Sequence, residues 1–324
     1  MARTRYATDR GLIARMGATM FLIGLVFTAF IIAIVLLLSR FTSVSGDGII
    51  FIAVLAGVAV SFGSYYWSDK IALATAGARL VNPQEAPELH GVVDRLCALA
   101  DMPKPRVAIA PTDMPNAFAT GRSSKVAVLC VTEGLLRRLD TAELEGVIAH
   151  EMSHVAHKDV AVMTVASFLG IMAALLVRFA FYSELFGGGG RGGRRGGGGG
   201  DQNTFPVVLA VMAVGIVVYA ISFLLIRLLS RYRELSADRS GALLTGQPSA
   251  LASALVKVSG DMSRIPTRDL RAAEPLNAFY FAPALSARQG QWSLSNLFST
   301  HPSLDKRLKA LDEISQQLSS SSGK

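Results

Sequence analysis

The sequence predicts a mainly α-helical membrane protein with a small β-sheet in its polar part. Three observations carry that prediction. Of 324 residues, 51% are hydrophobic and 17% are charged, against about 25% charged in an average soluble domain, and mean hydropathy is positive. Four long apolar runs punctuate the chain, on the scale needed to cross a hydrocarbon core of about 30 Å. The polar blocks mix helical spacing with short β-type runs bounded by turn residues.

The first run, Met16 to Leu38, is charge-free and closed by Arg40. It is too long for the apolar core of a secretory signal and lacks a small-residue cleavage site, so it reads as an anchor. The second, Ile49 to Trp67, completes an N-terminal transmembrane hairpin over residues 1–69. Arg3, Arg5, Arg10 and Arg15 precede the first span, and the connection FTSVSGDG has no basic residue. The positive-inside bias therefore puts the N-terminus in the cytoplasm. Val160 to Val177 and Phe205 to Ile226 form a second pair within residues 159–229. Length favours a spanning hairpin over an amphiphilic one lying on the cytoplasmic surface. Between them lies a glycine-rich loop, 187–200, holding Arg191, Arg194 and Arg195. Such a tract behaves as a flexible linker.

Residues 70–158 and 230–324 are then two parts of one cytoplasmic domain. In the first, PQEAPELHGVVDRLCALADM reads as a helix, RVAIAP, NAFATG and KVAVLCVT as short strands, and EGLLRRL as a short helix. DTAELEGVIAHEMSHVAHKD reads as a longer helix, with Asp140 and Glu143 at capping-box spacing. The second part is mostly helical and ends in a serine-rich tail expected to be disordered. Cys97 and Cys130 cannot build a disulfide framework and read as small buried apolar residues. The formal charge of +8 is spread thinly, without a basic stripe interleaved with aromatics. It fits cytoplasmic loops rather than nucleic-acid binding.

His150-Glu151-Met152-Ser153-His154 is an H-E-x-x-H motif. On a helix its histidines stack one turn apart, where they can hold one zinc ion, and the glutamate projects beside them as a general base. His157 shares that face, but it lies seven residues from His150, about 10 Å along a straight helix. It reads as a bystander. A catalytic zinc usually takes a third protein ligand. Arg227, Arg231, Glu234 and Asp238 share one helical face, which alone is equally well a solvated, salt-bridged surface. Depth separates the two readings. His154 lies six residues before the third run and Glu234 eight after the fourth, offsets of about 9 and 12 Å. An antiparallel hairpin would return Glu234 to the depth of His154.

AHEMSHVAHKD, SRYRELSADRSGALLTG, PNAFATGRSS and FSTHPSLDKRLKAL together resemble the HtpX family of membrane zinc endopeptidases, relatives of the Ste24 proteases. The resemblance implies a zincin-type metallopeptidase domain in the cytoplasm and one zinc ion per chain. It implies that His150, His154 and Glu234 are the ligands, that Asp238 supports them, and that Asn116, Ala117 and Phe118 edge the substrate cleft. It suggests that His301 lies near the site, on the oxyanion side; a packed histidine in the turn before a helix, with Pro302 in its first turn, is an equal reading. His90 reads as structural. The implied partners are protein substrates, above all misfolded or damaged membrane proteins, and the lipid bilayer of the cell (inner) membrane. A homo-oligomer is left open. Substrate is expected to pair in extended form along a sheet edge, with KVAVLCVT as the strand.

Overall fold

The computed structural model describes residues 10–41, 62–63, 65–160, 162–164, 167, 204–264 and 301–322, with Leu55 and Ala59. Most of the second and third apolar runs and the glycine-rich loop lie outside the described residues. The chain divides into two compact units: Met16–Gly63 with Met163–Ile226, and Met1–Arg15 with Ser64–Val162 and Arg227–Lys324.

Two helices are long and apolar enough to cross a membrane, judged by length and composition. The first is α1 (Arg10–Phe41), which exposes Phe21, Leu22 and Leu25 as a lipid-facing helix would. The second is a later helix, Thr204–Thr245, of 42 residues. At 1.5 Å per residue it is about 63 Å long, twice a hydrocarbon core. Its apolar stretch ends at Ile226, and the charged residues from Arg227 onward continue the same helix without a break.

The unit holding the polar segments is built on a small sheet. After α2 (Ser68–Ala76) come β1 (Arg79–Leu80), α3 (Pro87–Ala100), β2 (Arg106–Ala110), β3 (Ala117–Thr120), β4 (Val128–Thr132), α4 (Glu133–Arg138) and α5 (Thr141–Ala156). The Thr204–Thr245 helix is α6, followed by α7 (Pro248–Arg264) and α8 (Leu304–Ser322). Strand order is β1-β2-β4-β3. β4 pairs parallel with β2 and antiparallel with β3. All of β4 is buried, because both faces of the sheet are covered. Ala72 of α2 and Phe118, Val128 and Cys130 of the sheet form one cluster. Val107, Leu129 and Val131 pack on the other face with α3, α5, α7 and α8.

This order corrects one expectation. KVAVLCVT is an interior strand, so it offers no edge for pairing. Among the described residues, the strand with an open side on that flank is β3, the NAFATG segment. A continuous apolar run is what an interior strand with two buried faces requires. The serine-rich end is also not disordered as far as Ser322: α8 continues to that residue. Ser319 and Ser320 hydroxyls donate back to the carbonyls of Gln316 and Gln317.

The helix bearing the H-E-x-x-H motif starts as its sequence implies. The Asp140 carboxylate accepts from Glu143 N at 2.9 Å, and Glu143 accepts from Asp140 N at 3.0 Å. Glu143 also takes Lys257 and Ser253 of α7, so the cap ties α5 to its neighbour. His90 is buried, with Nε2 3.1 Å from the Val81 carbonyl oxygen. Both cysteines are free and buried.

Candidate active site

α5 presents His150 and His154 one turn apart, with ring centroids 5.0 Å apart and rings nearly perpendicular. α6 crosses this turn backbone against backbone. A Cβ on Gly241 would lie 2.9 Å from His150 N and 3.2 Å from its Cα, so only glycine permits the approach. Two turns earlier on the same face, Glu234 reaches in. Its Oε1 is 3.5 Å from His154 Nε2 and its Oε2 is 3.7 Å from His150 Nε2. Ligand-type atoms of His150, His154 and Glu234 all lie within 4.8 Å of one another.

Each imidazole is aimed from behind. His150 Nδ1 is 2.9 Å from Asp238 Oδ1, and Asp238 takes a two-point grip from Arg307 at 2.8 and 2.6 Å. His154 Nδ1 is 2.6 Å from Asp159 Oδ2, and Arg233 reaches the same oxygen at 2.9 Å. Carboxylates at both Nδ1 atoms set the tautomer and leave both Nε2 lone pairs facing the common point, the arrangement typical of metal-ligating histidines. His301 Nδ1 lies 2.9 Å from Glu234 Oε2. His301 and Arg307 come from the turn and first turn of α8, so the C-terminal helix completes the cluster.

Glu151 is turned toward the same space. Its Oε1 is 4.0 Å from His150 Nε2, and its Oε2 accepts from Ala119 N of β3 at 3.2 Å. Burial pushes the Glu151 carboxyl above its ordinary range, against the pull of His150 and His154. Burial opposes charge on His150, yet Asp238 and Glu234 outweigh it and push its proton affinity up to about 9. The pocket thus favours positive charge at its centre. Two imidazole nitrogens and one carboxylate, converging in a buried carboxylate-rich site, are a donor set that suits zinc with a position left open.

His157 stands outside this cluster, at the C-cap of α5 with Nδ1 2.8 Å from the Ser153 carbonyl oxygen. Two of the three cleft candidates, Ala117 and Phe118, lie in β3, and Asn116 just precedes it. Phe118 is buried on the far face of the sheet with Ala72, and Asn116 and Ala117 are buried; Asn116 exchanges bonds with Thr132. The residue of this strand that meets Glu151 is Ala119. Sequence reasoning also assigned no role to Asp159, Arg233 or Arg307. Asp159 carried a signal, since it follows the motif closely in HKD. Arg307 carried none.

A family model for peptidase family M48 matches residues 83–315. Protease HtpX homolog 1 of Streptomyces coelicolor is 57% identical over 317 residues, covering 98% of this chain and 97% of that protein. The Protease HtpX homolog of Moorella thermoacetica is 48% identical, covering 98% of each. The crystal structure of S. mikatae Ste24p superposes with a TM-score of 0.51 at 17% identity, over 96% of this chain and 68% of that one, a likeness of fold.

Proposed function

Because the chain belongs to peptidase family M48, and is thereby a metalloprotease, we propose that it is a zinc-dependent endopeptidase integral to the cell (inner) membrane. It spans the bilayer several times, with its N-terminus and catalytic unit in the cytoplasm, and cleaves misfolded or damaged membrane proteins. The observation that carries the reading is the convergence of His150, His154 and Glu234, from two helices about eighty residues apart, with the Glu151 carboxyl beside them.

His150, His154 and Glu234 hold the ion. When bound there, zinc would supply Lewis acidity, the chemistry that makes a water acidic near neutral pH and polarises a carbonyl. Glu151 takes the proton from the attacking water and delivers it to the leaving amine. Burial suits it to both tasks, because a raised carboxyl holds a proton more readily than an ordinary one. Asp238 and Asp159 keep both imidazoles in the ligating tautomer, and His301 steadies the Glu234 carboxylate. An extended substrate segment adds to the open side of β3, where Ala119 already faces Glu151. Strand addition reads main chain more than side chains, which suits unfolded substrates.

The test is Glu151→Gln in purified protein, with casein cleavage and bound zinc measured together. Loss of about 10²–10⁴-fold in cleavage, the usual worth of a general acid–base, is expected with zinc content unchanged. Full activity in the variant sinks the assignment of Glu151.

A further inference from the structure

The second apolar run ends in Tyr65-Tyr66-Trp67. Tyr66, Trp67 and Ile71 are 43%, 49% and 50% exposed, and the Tyr66 and Trp67 rings meet edge-to-face at 5.6 Å. Exposed tyrosine and tryptophan closing an apolar run are the composition of a membrane–water boundary.

This boundary strip is tied directly to β3. Gly121 ends the strand at φ 128°, a left-handed conformation that L side chains rarely adopt, and delivers Arg122 to the strip. The Tyr65 hydroxyl donates to the Arg122 carbonyl at 3.2 Å. Arg122 Nη1 donates to the Tyr66 carbonyl at 3.2 Å, and its guanidinium sits 4.3 Å above the Tyr66 ring. Ala72, one turn past the strip, packs with Phe118 of the same strand. These four contacts fix the depth of β3 against the boundary aromatics. From Arg122 back to Ala119 is three residues, about 10 Å of strand, and Ala119 N–H lies on the Glu151 carboxylate.

We infer that the catalytic cleft is anchored at the depth of the membrane boundary, so that the substrates are membrane-anchored chains cut within about ten residues of where they leave the bilayer. That figure adds the roughly 10 Å along β3 to a headgroup layer of about 6 Å, with slack for an irregular path. The inference rests on the peptidase and membrane readings above. It narrows the substrate class from any unfolded chain to juxtamembrane extended segments: those farther out reach β3 only by looping back.

The experiment uses full-length zinc-loaded protein reconstituted in phosphatidylethanolamine–phosphatidylglycerol vesicles. Co-reconstituted probes carry one membrane anchor and an unstructured tail, with the same cleavable segment about 4, 12 or 30 residues from the anchor, distances chosen to bracket the headgroup layer. Soluble casein serves as reference, and cut positions are mapped by mass spectrometry. The nearest segment is expected to be cut at least tenfold faster than the farthest. Arg122→Ala, which releases the tie to Tyr66, is expected to shrink that ratio below about threefold while casein is still cut. Equal rates at all spacings, or a ratio unmoved by Arg122→Ala, overturn the inference and leave the peptidase reading standing. Failure to cut any probe, casein included, overturns that reading and the inference with it.

Discussion

Gly241→Ala is expected to loosen the proposed zinc site while leaving the protein folded. The added Cβ would stand 2.9 Å from His150 N, whereas comfortable contacts begin at about 3.4 Å. The two helices must therefore part by about 0.5 Å, because both contacting atoms are backbone and neither can swing aside. Zinc sites tolerate about ±0.2 Å in ligand distance. Glu234 lies on α6 and both histidines on α5, so the whole displacement falls between ligands. Disturbances of this kind to the support of a metal site typically cost about 10–100-fold in affinity. Stability moves less: overpacking costs about 1–3 kcal/mol, offset by about 1 kcal/mol from replacing a helical glycine. The assay is zinc affinity by competition with a chromophoric chelator, beside the thermal midpoint of the metal-free protein. Gly146→Ala is the control. Its Cβ meets Leu251 Cα of α7 at 3.2 Å, so it crowds α5 on a side with no proposed ligand. Zinc affinity within threefold of the parent in folded Gly241→Ala would refute the argument that this contact sets the ligand spacing.

Asp159→Asn is expected to weaken zinc binding by about 10–100-fold, read by the same competition, because the amide no longer holds His154 Nδ1–H as a carboxylate does. Arg307→Ala leaves the buried Asp238 carboxylate with His150 but without its guanidinium, a change of about 3–5 kcal/mol measurable by denaturant unfolding. Arg307→Lys is expected to recover only part of this, since one ammonium cannot reproduce the two-point grip. For the metal-free protein, His150 sits above its ordinary 6.5, at about 9. Its contribution to stability is thus full below about pH 6.5 and fades as pH rises through about 9. Zinc binding at pH 7 is accordingly expected to release at least one proton, measured by calorimetry in buffers of different ionisation heat; zero release refutes the protonated state of His150.

The parts of this site that follow from local spacing were legible in the sequence. H-E-x-x-H needs only a helix, and the capping box of Asp140 and Glu143 announces that helix. Glu234 was reachable from the expectation that two apolar runs of similar length bring the chain back to one depth, a long-range inference that needs only helix rise. Strand order was not legible: β3 and β4 are both short apolar runs, and which lies outside depends on pairing across the sheet. The parity of β3 follows from that order. Side chains alternate, so placing Ala119 at Glu151 sends the Phe118 side chain to the opposite face, where it packs with Ala72. Arg307 was invisible because its partner lies 69 residues away and nothing in LDKRLKAL marks one basic residue as buried.

Charge explains why so many ionisable groups crowd around three ligands. Glu151, Asp159, Glu234 and Asp238 are buried, and Arg233 and Arg307 are the guanidiniums among them, with side chains 12% and 1% exposed. With neutral imidazoles, four carboxylates against two guanidiniums leave a net charge of minus two. An uncompensated buried charge is expensive, and the metal-free protein relieves it by taking up protons, which is the direction of shift at both His150 and Glu151. A divalent ion brings the same set to neutrality without protons. It frees His150 Nε2 to ligate and favours the ionised form of Glu151 needed to accept a proton. The two arginines therefore set the valence of the site: with neither, four carboxylates would call for more than one divalent ion or for standing protons. Each is placed so that its charge is spent on a carboxylate behind a histidine rather than on the ligating face of Glu234, from which the closer Arg307 nitrogen stands 3.9 Å away.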